Sequence, residues 1–323
     1  MNRIFHGGRI YVAGHRGLAG SAILRCLESK GVTGVITRTH AELELTNAIE
    51  VERFFAAEKP EVVYMCAAKV GGILANESMP ADFIQKNLAI QTNVIDAAYR
   101  HGVKRLLFLG SSCIYPRDCP QPIKESYLLS GPLESTNQSY AIAKIAGIEM
   151  CRAYNHQYGT HFLTAMPTNL YGPNDNYDPQ TSHVLPALLH KMRLAKENGD
   201  REVVIWGTGN SRREFLHSDD MASAGVFLMS LPEKEFRSLS SLPLPLVNVG
   251  YGEEDLTIRE LAVLIAEVAG FTGNLVFDNS MPEGTPRKLL DVSRLRSLGW
   301  KPCIPLRQGI EAVYAEYSQC AFH

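Results

Sequence analysis

Apolar runs rich in β-forming residues alternate with stretches of helical spacing along the first half of this chain. The runs at residues 9–13, 35–37, 61–67, 105–109 and 162–166 predict buried strands, and the segments 18–27, 80–100 and 140–158 predict helices. Strands that alternate with helices are typical of a parallel sheet covered by helices on both faces. We therefore expect an α/β fold built on a doubly wound, Rossmann-like parallel sheet.

A turn rich in glycine and proline, residues 167–173, ends this alternating region. We place a domain boundary there and expect a dinucleotide-binding domain over residues 1–172. Residues 173–323 are then expected to form a second, smaller α/β domain that binds substrate, with some segments returning to the first domain. A chain of 323 residues is long enough for two such domains.

A glycine-rich loop lies between the first predicted strand and the first predicted helix. Glycines at such a turn allow the pyrophosphate of a dinucleotide to approach the backbone at the amino terminus of the helix. The loop therefore predicts a nicotinamide dinucleotide cofactor. Its residues are Gly14, His15, Arg16, Gly17, Leu18, Ala19 and Gly20.

A tyrosine, a lysine and a serine predict a redox site above this sheet. Tyr140 and Lys144 are four residues apart and share one face of a predicted helix. The lysine charge stabilises a phenolate, so we expect it to lower the tyrosine pKa from about 10 and to suit the phenol for proton exchange with a carbonyl oxygen. Ser111 follows the strand 105–109, at the sheet edge where ligands bind, and its hydroxyl is expected to hold the same oxygen. The Tyr-x-x-x-Lys spacing alone is common on amphipathic helices, so the order of all three motifs carries the interpretation.

The end of the second predicted strand indicates which dinucleotide is bound. An enzyme that uses NAD usually has a carboxylate there for the ribose hydroxyls, whereas this chain has Arg38. Arg16 in the glycine loop adds a second guanidinium, and two cations without an acid suit the 2′-phosphate of NADP. We expect NADP(H); the alternative is that both arginines are ordinary surface charges.

Composition and charge exclude several other classes of protein. A formal net charge of −2 argues against a nucleic-acid partner. No apolar run approaches the ~18 residues of a membrane span, and residues 1–8 lack the apolar core of a signal peptide, so we expect no membrane partner and a cytoplasmic location. Seven cysteines without a Cys-x-x-Cys pair fit neither a disulfide framework nor a zinc site, and we expect no metal.

The ordered motifs together resemble the extended short-chain dehydrogenase/reductases that modify nucleotide sugars. Within them, the chain is most similar to the epimerase/reductases that convert GDP-4-keto-6-deoxy-D-mannose to GDP-L-fucose. Residues 68–73, 110–116, 140–147 and 284–291 carry this resemblance, which runs from about residue 14 to residue 300. The resemblance implies NADP(H) as cofactor, a GDP-sugar as substrate and a homodimer formed through a helix bundle.

The resemblance also implies a second catalytic pair beside Ser111, Tyr140 and Lys144. A C4 ketone acidifies the protons on both neighbouring carbons, so one site can epimerise C3 and C5 before it reduces C4. Cys113 is expected to act as the base and His183 as the acid that returns a proton to the other face. Without the resemblance, Cys113 is interpreted as a buried hydrophobe and His183 as a helix-capping or core residue.

The resemblance further implies two sets of binding residues. Cofactor contacts are expected from Gly14, His15, Arg16, Gly17, Leu18, Ala19, Gly20, Arg38, Leu45, Ala67, Lys144, Pro167, Asn169, Leu170 and His183. Substrate contacts are expected from Ser111, Asn169, Lys191, Trp206, Arg213, Glu283, Arg287 and Lys288. The chain departs from the family pattern at Glu283, where we expect aspartate, and at His40, where relatives often have arginine.

Two alternative functions remain open at the level of sequence. The same residues suit an enzyme that acts on a 3,6-dideoxy keto sugar nucleotide, as in GDP-L-colitose synthesis, where only C5 is epimerised. A non-catalytic NADP-binding module is the second alternative. Such modules commonly lack the tyrosine or the lysine, and both are present here.

Overall fold

A computed structural model of the protein describes residues 8–281 and 284–320. Thirteen strands and eleven α-helices form within these residues, joined by short 3-10 turns. In chain order they are β1 (Ile10–Ala13), α1 (Leu18–Ser29), β2 (Val35–Ile36), α2 (Ala48–Glu58), β3 (Val62–Met65), α3 (Ile73–Ser78), α4 (Pro80–Arg100), β4 (Arg105–Leu109), α5 (Gln138–Tyr158), β5 (Phe162–Pro167), β6 (Asn169–Tyr171), α6 (Val184–Asn198), β7 (Glu202–Trp206), β8 (Arg212–Arg213), β9 (Phe215–His217), α7 (Ser218–Ser230), α8 (Glu233–Ser240), β10 (Leu246–Val249), β11 (Leu256–Thr257), α9 (Ile258–Ala269), β12 (Asn274–Asp278), β13 (Arg287–Lys288), α10 (Ser293–Ser297) and α11 (Leu306–Cys320).

Six parallel strands form the central sheet, in the order β10-β5-β4-β3-β1-β2. β1, β3 and β4 are buried along their whole length, as the continuous apolar runs of the sequence require. One face packs against α2, α4 and α5, and the opposite face packs against α1, α7 and α8. The predicted α/β, Rossmann-like fold is therefore confirmed, and α4 and β4 span the predicted residues.

Two apolar clusters lie on the two faces of the central sheet, and a third lies outside it, formed mainly by residues that follow β6. Helices α6, α9 and α11 pack around it with β7, and its centre includes Leu189, Ile205 and Ile265. Small sheets complete this part: β7 pairs with β12, and β8 lies between β11 and β13. The amino terminus of α9 is fixed by a capping box between Thr257 and Glu260.

The chain crosses between the two parts more than once. β10 joins the central sheet beside β5, and α7 and α8 cover that sheet, although all three follow residue 173. β6 also pairs with β9, which ties the end of the alternating region to the later segment. The boundary at residues 172 and 173 stays a prediction, and we propose that the dinucleotide-binding unit includes these returning elements.

Candidate active site

A cavity of about 1040 Å³ lies at the carboxyl ends of the central strands. Its walls come from the segments that follow β1, β3, β4 and β5, and from the amino end of α6 and β13. The order of the sheet reverses between β3 and β1, and ligands of doubly wound sheets bind at this position. The volume lies at the upper end of the roughly 300–1,000 Å³ usual for ligand sites, so it has room for a cofactor and a substrate together.

The glycine loop has the geometry of a pyrophosphate cradle. Gly14 has φ +81°, and a Cβ there would lie 2.8 Å from backbone atoms of Ala67. A Cβ on Gly20 would lie 2.1 Å from the carbonyl oxygen of Gly14. Gly17 caps α1 without any side-chain hydrogen bond, so no side chain occupies the positive end of the helix. These residues fit a dinucleotide cofactor.

Arg38 lies in the cavity wall but has an acidic partner. Its Nη2 donates to Oε1 of Glu58 at 2.5 Å, and its guanidinium lies 5.6 Å from the centre of the Phe54 ring. The expectation of cations without an acid is therefore wrong for Arg38, because α2 brings Glu58 to the end of β2. Arg16 is exposed and lies outside the cavity wall. His40 is 87% exposed and pairs with Glu44 at 2.8 Å.

The other predicted cofactor residues lie at different places along the cavity. Its wall includes Leu18, Ala19, Leu45, Ala67, Pro167, Asn169 and Leu170. Asn169 is oriented by a hydrogen bond of 2.8 Å from its Nδ2 to the carbonyl oxygen of Glu214. His15 does not line the cavity; burial, followed by the charge of Arg16, lowers its pKa. The roles of all these residues in cofactor binding stay predictions.

Ser111, Tyr140 and Lys144 line the same cavity. Lys144 is 3% exposed, and its Nζ donates to the carbonyl oxygen of Leu109 at 2.8 Å. Burial lowers the pKa of Lys144 to about 8. Nζ lies 5.9 Å from the centre of the Tyr140 ring.

The pKa of Tyr140 does not follow the sequence-based expectation. Burial raises it, the neighbouring Cys113 raises it further, and the Ser111 hydroxyl only partly opposes them. The net lowering expected from Lys144 is therefore not found, because burial dominates the pKa of Tyr140 and the ammonium donates its hydrogen bond to a carbonyl oxygen and not to the phenol. The phenol is therefore kept protonated, which is the form that a proton donor needs.

Cys113 lies in a polar environment at the turn after β4. Its Sγ accepts a hydrogen bond of 3.3 Å from Nδ2 of Asn137 and one of 3.5 Å from Nζ of Lys288. Burial opposes ionisation of the thiol, but Lys288, Ser111 and Arg213 outweigh burial and hold its pKa below the usual range. The interpretation of Cys113 as an inert hydrophobe is therefore not supported.

Asn137 is a site residue that sequence reasoning missed. It stands immediately before α5, where asparagine is usually interpreted as a helix cap. Its side chain makes no capping hydrogen bond, however, and Nδ2 is bound to the sulfur. Its position three residues before Tyr140 is a signal that could have indicated a role in the site.

His183 precedes α6 and lines the cavity, where part of its surface remains exposed. Protein atoms around the ring desolvate it, and this, followed by the charge of Lys288, lowers its pKa. The segment that leads to His183 is fixed by the glycines after β3. Gly72 donates its N–H to the Thr181 carbonyl at 2.8 Å, and a Cβ on Gly72 would lie 2.4 Å from the Ser182 oxygen.

The predicted substrate residues divide into two groups. Lys191, Trp206, Arg213 and Lys288 line the cavity, and Nζ of Lys191 lies 5.2 Å from the Trp206 ring centre. Arg287 lies outside the cavity wall, because its guanidinium binds Asp255. Glu283 lies outside the described residues. Ser111 and Asn169, the other two predicted substrate residues, also line the cavity, and the contacts of all eight residues with substrate stay predictions.

Residues 8–281 and 284–320 hold no group of three or more His, Cys, Asp or Glu side chains placed to bind a metal ion. Over the same ranges, no helix combines the length and the apolar character that crossing a bilayer requires.

Sequence comparisons identify relatives that cover nearly the whole chain. Residues 10–238 match the model of the NAD dependent epimerase/dehydratase family. The chain is 58% identical to the probable GDP-L-fucose synthase 1 of Oryza sativa subsp. japonica, over 96% of this chain and 92% of that protein. It is 52% identical to the GDP-L-fucose synthase of Escherichia coli (strain K12), over 95% of each chain. Identity to the GDP-L-colitose synthase of Yersinia pseudotuberculosis is 37%, over 94% of this chain and 95% of that one.

Solved structures with the same fold include proteins with NADP bound. The GDP-mannoheptose C4 reductase of Campylobacter jejuni with NADP superposes with a TM-score of 0.87 at 42% identity, over 96% of this chain and 98% of that one. The NADP-bound GDP-L-fucose synthetase of Naegleria fowleri superposes with a TM-score of 0.86 at 26% identity, over 98% and 95% of the two chains.

Replacing Arg38 tests its expected selectivity for the ribose phosphate. Arg38→Ala should weaken NADPH binding about tenfold to 100-fold, the worth of a charged hydrogen bond, and should change NADH binding much less because NADH lacks the phosphate. Fluorescence titration of both nucleotides measures this. Arg9→Ala is the matched control, since Arg9 pairs with the same Glu58 carboxylate from outside the cavity wall. Equal losses for the two nucleotides would contradict the assignment.

Proposed function

The chain belongs to the NAD dependent epimerase/dehydratase family, and on that premise we propose that its site makes GDP-L-fucose. It is an NADP(H)-dependent enzyme that epimerises C3 and C5 of GDP-4-keto-6-deoxy-D-mannose and then reduces C4. One observation carries the proposal: Cys113 and His183 line the same cavity as Ser111, Tyr140 and Lys144. An acid–base pair therefore shares its cavity with a carbonyl-reducing set.

The cofactor end of the cavity is the part that follows β1 and β3. When bound there, NADPH supplies the hydride for C4. The backbone N–H groups at the amino terminus of α1 would hold the pyrophosphate, and Gly14 lets the loop pack against Ala67 where a Cβ would clash. Arg38 binds the 2′-phosphate through the donors that Glu58 does not occupy.

Epimerisation begins at the sugar carbons beside the ketone. Ser111 and Tyr140 hold the C4 oxygen, and the thiolate of Cys113 removes the proton from C3 or C5. The electron pair of the broken C–H bond moves to the C4 oxygen as an enolate. His183 then returns a proton to the carbon from the opposite face, and the ketone re-forms with the carbon inverted. Solvent then takes the proton from the Cys113 thiol and returns one to His183, so a second round can follow and both C3 and C5 are inverted.

Reduction uses the protonated phenol of Tyr140. As C4 gains the hydride, its oxygen gains negative charge, and Tyr140 donates a proton to it. Lys144 carries positive charge close to the phenolate that forms, and its hydrogen bond to Leu109 keeps the helix at a fixed distance from β4. The lowered pKa of Lys144 has a defined sign: the ammonium loses its proton as the pH rises through about 8.

The GDP group binds on the α6 side of the cavity. Lys191 and Arg213 carry the charge that pairs with the diphosphate, and Trp206 offers an aromatic face that is partly exposed. The Lys191 side chain is oriented by its hydrogen bond of 3.0 Å to the Val204 carbonyl oxygen. These charges suit the diphosphate of a nucleotide sugar. Binding of the diphosphate here places the sugar between the Cys113–His183 pair and the residues that reduce C4.

We further propose that two chains pair through α4 and α5. Helix α5 exposes two large side chains, Ile142, which is 40% exposed, and Tyr158, which is 45% exposed. Before Glu149, α5 has no charged side chain except the buried Lys144. This uncharged, partly apolar stretch of α5 suits a helix-bundle contact between identical chains. The cytoplasmic location expected from the sequence also remains a proposal.

Removing the Tyr140 hydroxyl tests the proton donor. Tyr140→Phe should lower the rate of C4 reduction about 100-fold to 10,000-fold, the usual worth of a positioned general acid, with NADPH binding nearly unchanged. NADPH oxidation with the keto sugar nucleotide measures the rate. Tyr154→Phe on the same helix serves as control, because its phenol binds Asp96 outside the cavity. Wild-type turnover of Tyr140→Phe would remove the phenol from the mechanism.

Deuterium exchange separates the two members of the epimerising pair. Cys113→Ser should suppress exchange of solvent deuterium into C3 and C5, because a serine hydroxyl does not ionise near neutral pH, whereas the pKa of the Cys113 thiol is held below its ordinary value. His183→Asn should allow protons to leave but hinder their return on the opposite face. NMR of the sugar nucleotide in heavy water reports both effects. Cys119→Ser should exchange like the wild type, and undiminished exchange by Cys113→Ser would assign the base elsewhere.

The proposed dimer contact can be tested with a single charge. Ile142→Lys should convert a dimer to a monomer, because it places an ammonium in an apolar contact between two chains. Light scattering after gel filtration measures the mass. Val263→Lys is the control, since Val263 is 45% exposed on α9, far along the chain from the proposed contact. A monomeric wild-type chain, or a dimer that survives Ile142→Lys, would contradict this contact.

A further inference from the structure

Lys288 is a buried cation that contacts a sulfur atom. It is 9% exposed, and its Nζ lies 3.5 Å from Sγ of Cys113. Within the part of the chain that the structure describes, no carboxylate forms an ion pair with this ammonium. Lysine is rarely buried without a partner, because desolvating an ammonium costs several kcal/mol, on the order of the values for buried ions. The arrangement indicates that the sulfur is the anionic partner.

The backbone around Lys288 is fixed from two sides. β13 pairs in parallel with β8, where Lys288 is opposite Arg213, and the Glu214 N–H donates to the Lys288 carbonyl oxygen at 3.2 Å. The N–H groups that follow are also bound: Leu289 donates to Gln121, and Leu290 donates to the buried Glu214 carboxylate at 3.1 Å. The ammonium is therefore carried by a short strand that is tied to the core.

A second donor reaches the sulfur from a different element. Asn137 Nδ2 lies 3.3 Å from Sγ, and it approaches from the start of α5, whereas Lys288 approaches from β13. Two donors on two elements separated by about half the chain converge on one sulfur atom. A neutral thiol accepts hydrogen bonds weakly, whereas a thiolate accepts them strongly, so the pair of donors favours the anion.

We infer that Lys288 is the resident counter-ion of Cys113, which keeps the sulfur as a thiolate before substrate arrives. Lys288 is thus a positioning residue for epimerisation, beyond any contact that it makes with substrate. The inference rests on the proposed role of Cys113 as base. The proton of the thiol leaves to solvent, and Lys288 remains an ammonium throughout. The thiolate then takes the proton from the sugar carbon and becomes a thiol, while the C–H electron pair moves to the C4 oxygen.

Other charged and titratable groups around the sulfur also bear on the ionisation of Cys113. Arg213 from β8 favours the thiolate, as Lys288 does, and Tyr140 from α5 is a neutral phenol whose pKa is raised by burial and then by Cys113. His183 lies at the amino end of α6, and its pKa is lowered by burial and then by Lys288. Glu214 directs its carboxylate to the N–H groups of Gly252 and Leu290. Removing the ammonium should therefore raise the pKa of Cys113.

Alkylation of Cys113 as a function of pH tests the inference without substrate or cofactor. Iodoacetamide reacts with thiolates, and mass spectrometry of the digested chain follows Cys113 separately from the exposed Cys303, which reports the reactivity of the reagent. In the wild type, Cys113 should titrate below the usual cysteine midpoint of about 8.5. Lys288→Met should lower the Cys113 rate at pH 7 about tenfold or more, as a rise of one pKa unit implies.

Two control variants distinguish the effect of the Lys288 charge from other effects of changing the side chain. Lys288→Arg keeps the cation and should retain most of the Cys113 reactivity. Lys191→Met removes a cavity cation that contacts Trp206 and Val204 and should leave the Cys113 profile unchanged. In the deuterium exchange assay with the keto sugar nucleotide, Lys288→Met should lower the maximal rate, whereas loss of a binding contact alone would raise KM.

Two results would overturn the inference. The first is a wild-type Cys113 that titrates at or above the usual midpoint, a measurement that needs no variant to fold. The second is a Lys288→Met profile identical to the wild type. If deuterium exchange is lost in Cys113→Ser while Lys288→Met leaves the Cys113 profile unshifted, the counter-ion role fails and the proposed function stands. If Cys113→Ser exchanges normally, the proposed base fails, and the inferred role of Lys288 in epimerisation fails with it.

Discussion

The hydrogen bond from Lys144 to the carbonyl oxygen of Leu109 determines where the proposed chemistry takes place. It joins α5 to the carboxyl end of β4 in the interior, where the contact is shielded from water. Because β4 ends there, the chain that follows brings Ser111 and Cys113 to the same edge of the sheet. Tyr140 stands one helical turn before Lys144, so the same bond sets its height above the turn. Reduction and epimerisation therefore share one carbonyl position.

The electrostatics of the cavity follow from where its carboxylates are directed. Glu58 binds Arg38, and Asp255 binds Arg212 and Arg287. The Glu214 carboxylate accepts hydrogen bonds from backbone N–H groups. Burial raises the pKa of Glu214 to about 7, so this side chain carries only part of its negative charge at neutral pH.

The cations that line the cavity thus retain charge for anionic groups. Lys288 faces the sulfur of Cys113, and Lys191 and Arg213 line the part of the cavity that is proposed to hold the diphosphate. In a site of low dielectric constant such pairs are stronger than in water, which suits both a phosphate-rich ligand and a resident thiolate.

Local pattern in the sequence was sufficient for the fold and for part of the site. Runs of apolar residues located β4 and α4. The position of Ser111 after β4 and the Tyr140–Lys144 spacing on α5 predicted three residues that the structure brings into one cavity. Roles that depend on contacts between residues far apart in the sequence could not be predicted from local pattern. Lys288 meets Cys113 across 175 positions, and Asp255 draws Arg287 out of the cavity. The pKa of Tyr140 depends on burial, which spacing does not report.

The central claim is that one cavity both epimerises and reduces, and isotopic labelling of the product tests it most directly. The protein is incubated with GDP-4-keto-6-deoxy-D-mannose and NADPH in heavy water, and the sugar is identified by NMR. The account predicts GDP-L-fucose that carries deuterium at C3 and C5 and protium at C4. A sugar reduced at C4 with protium at both C3 and C5 would contradict it.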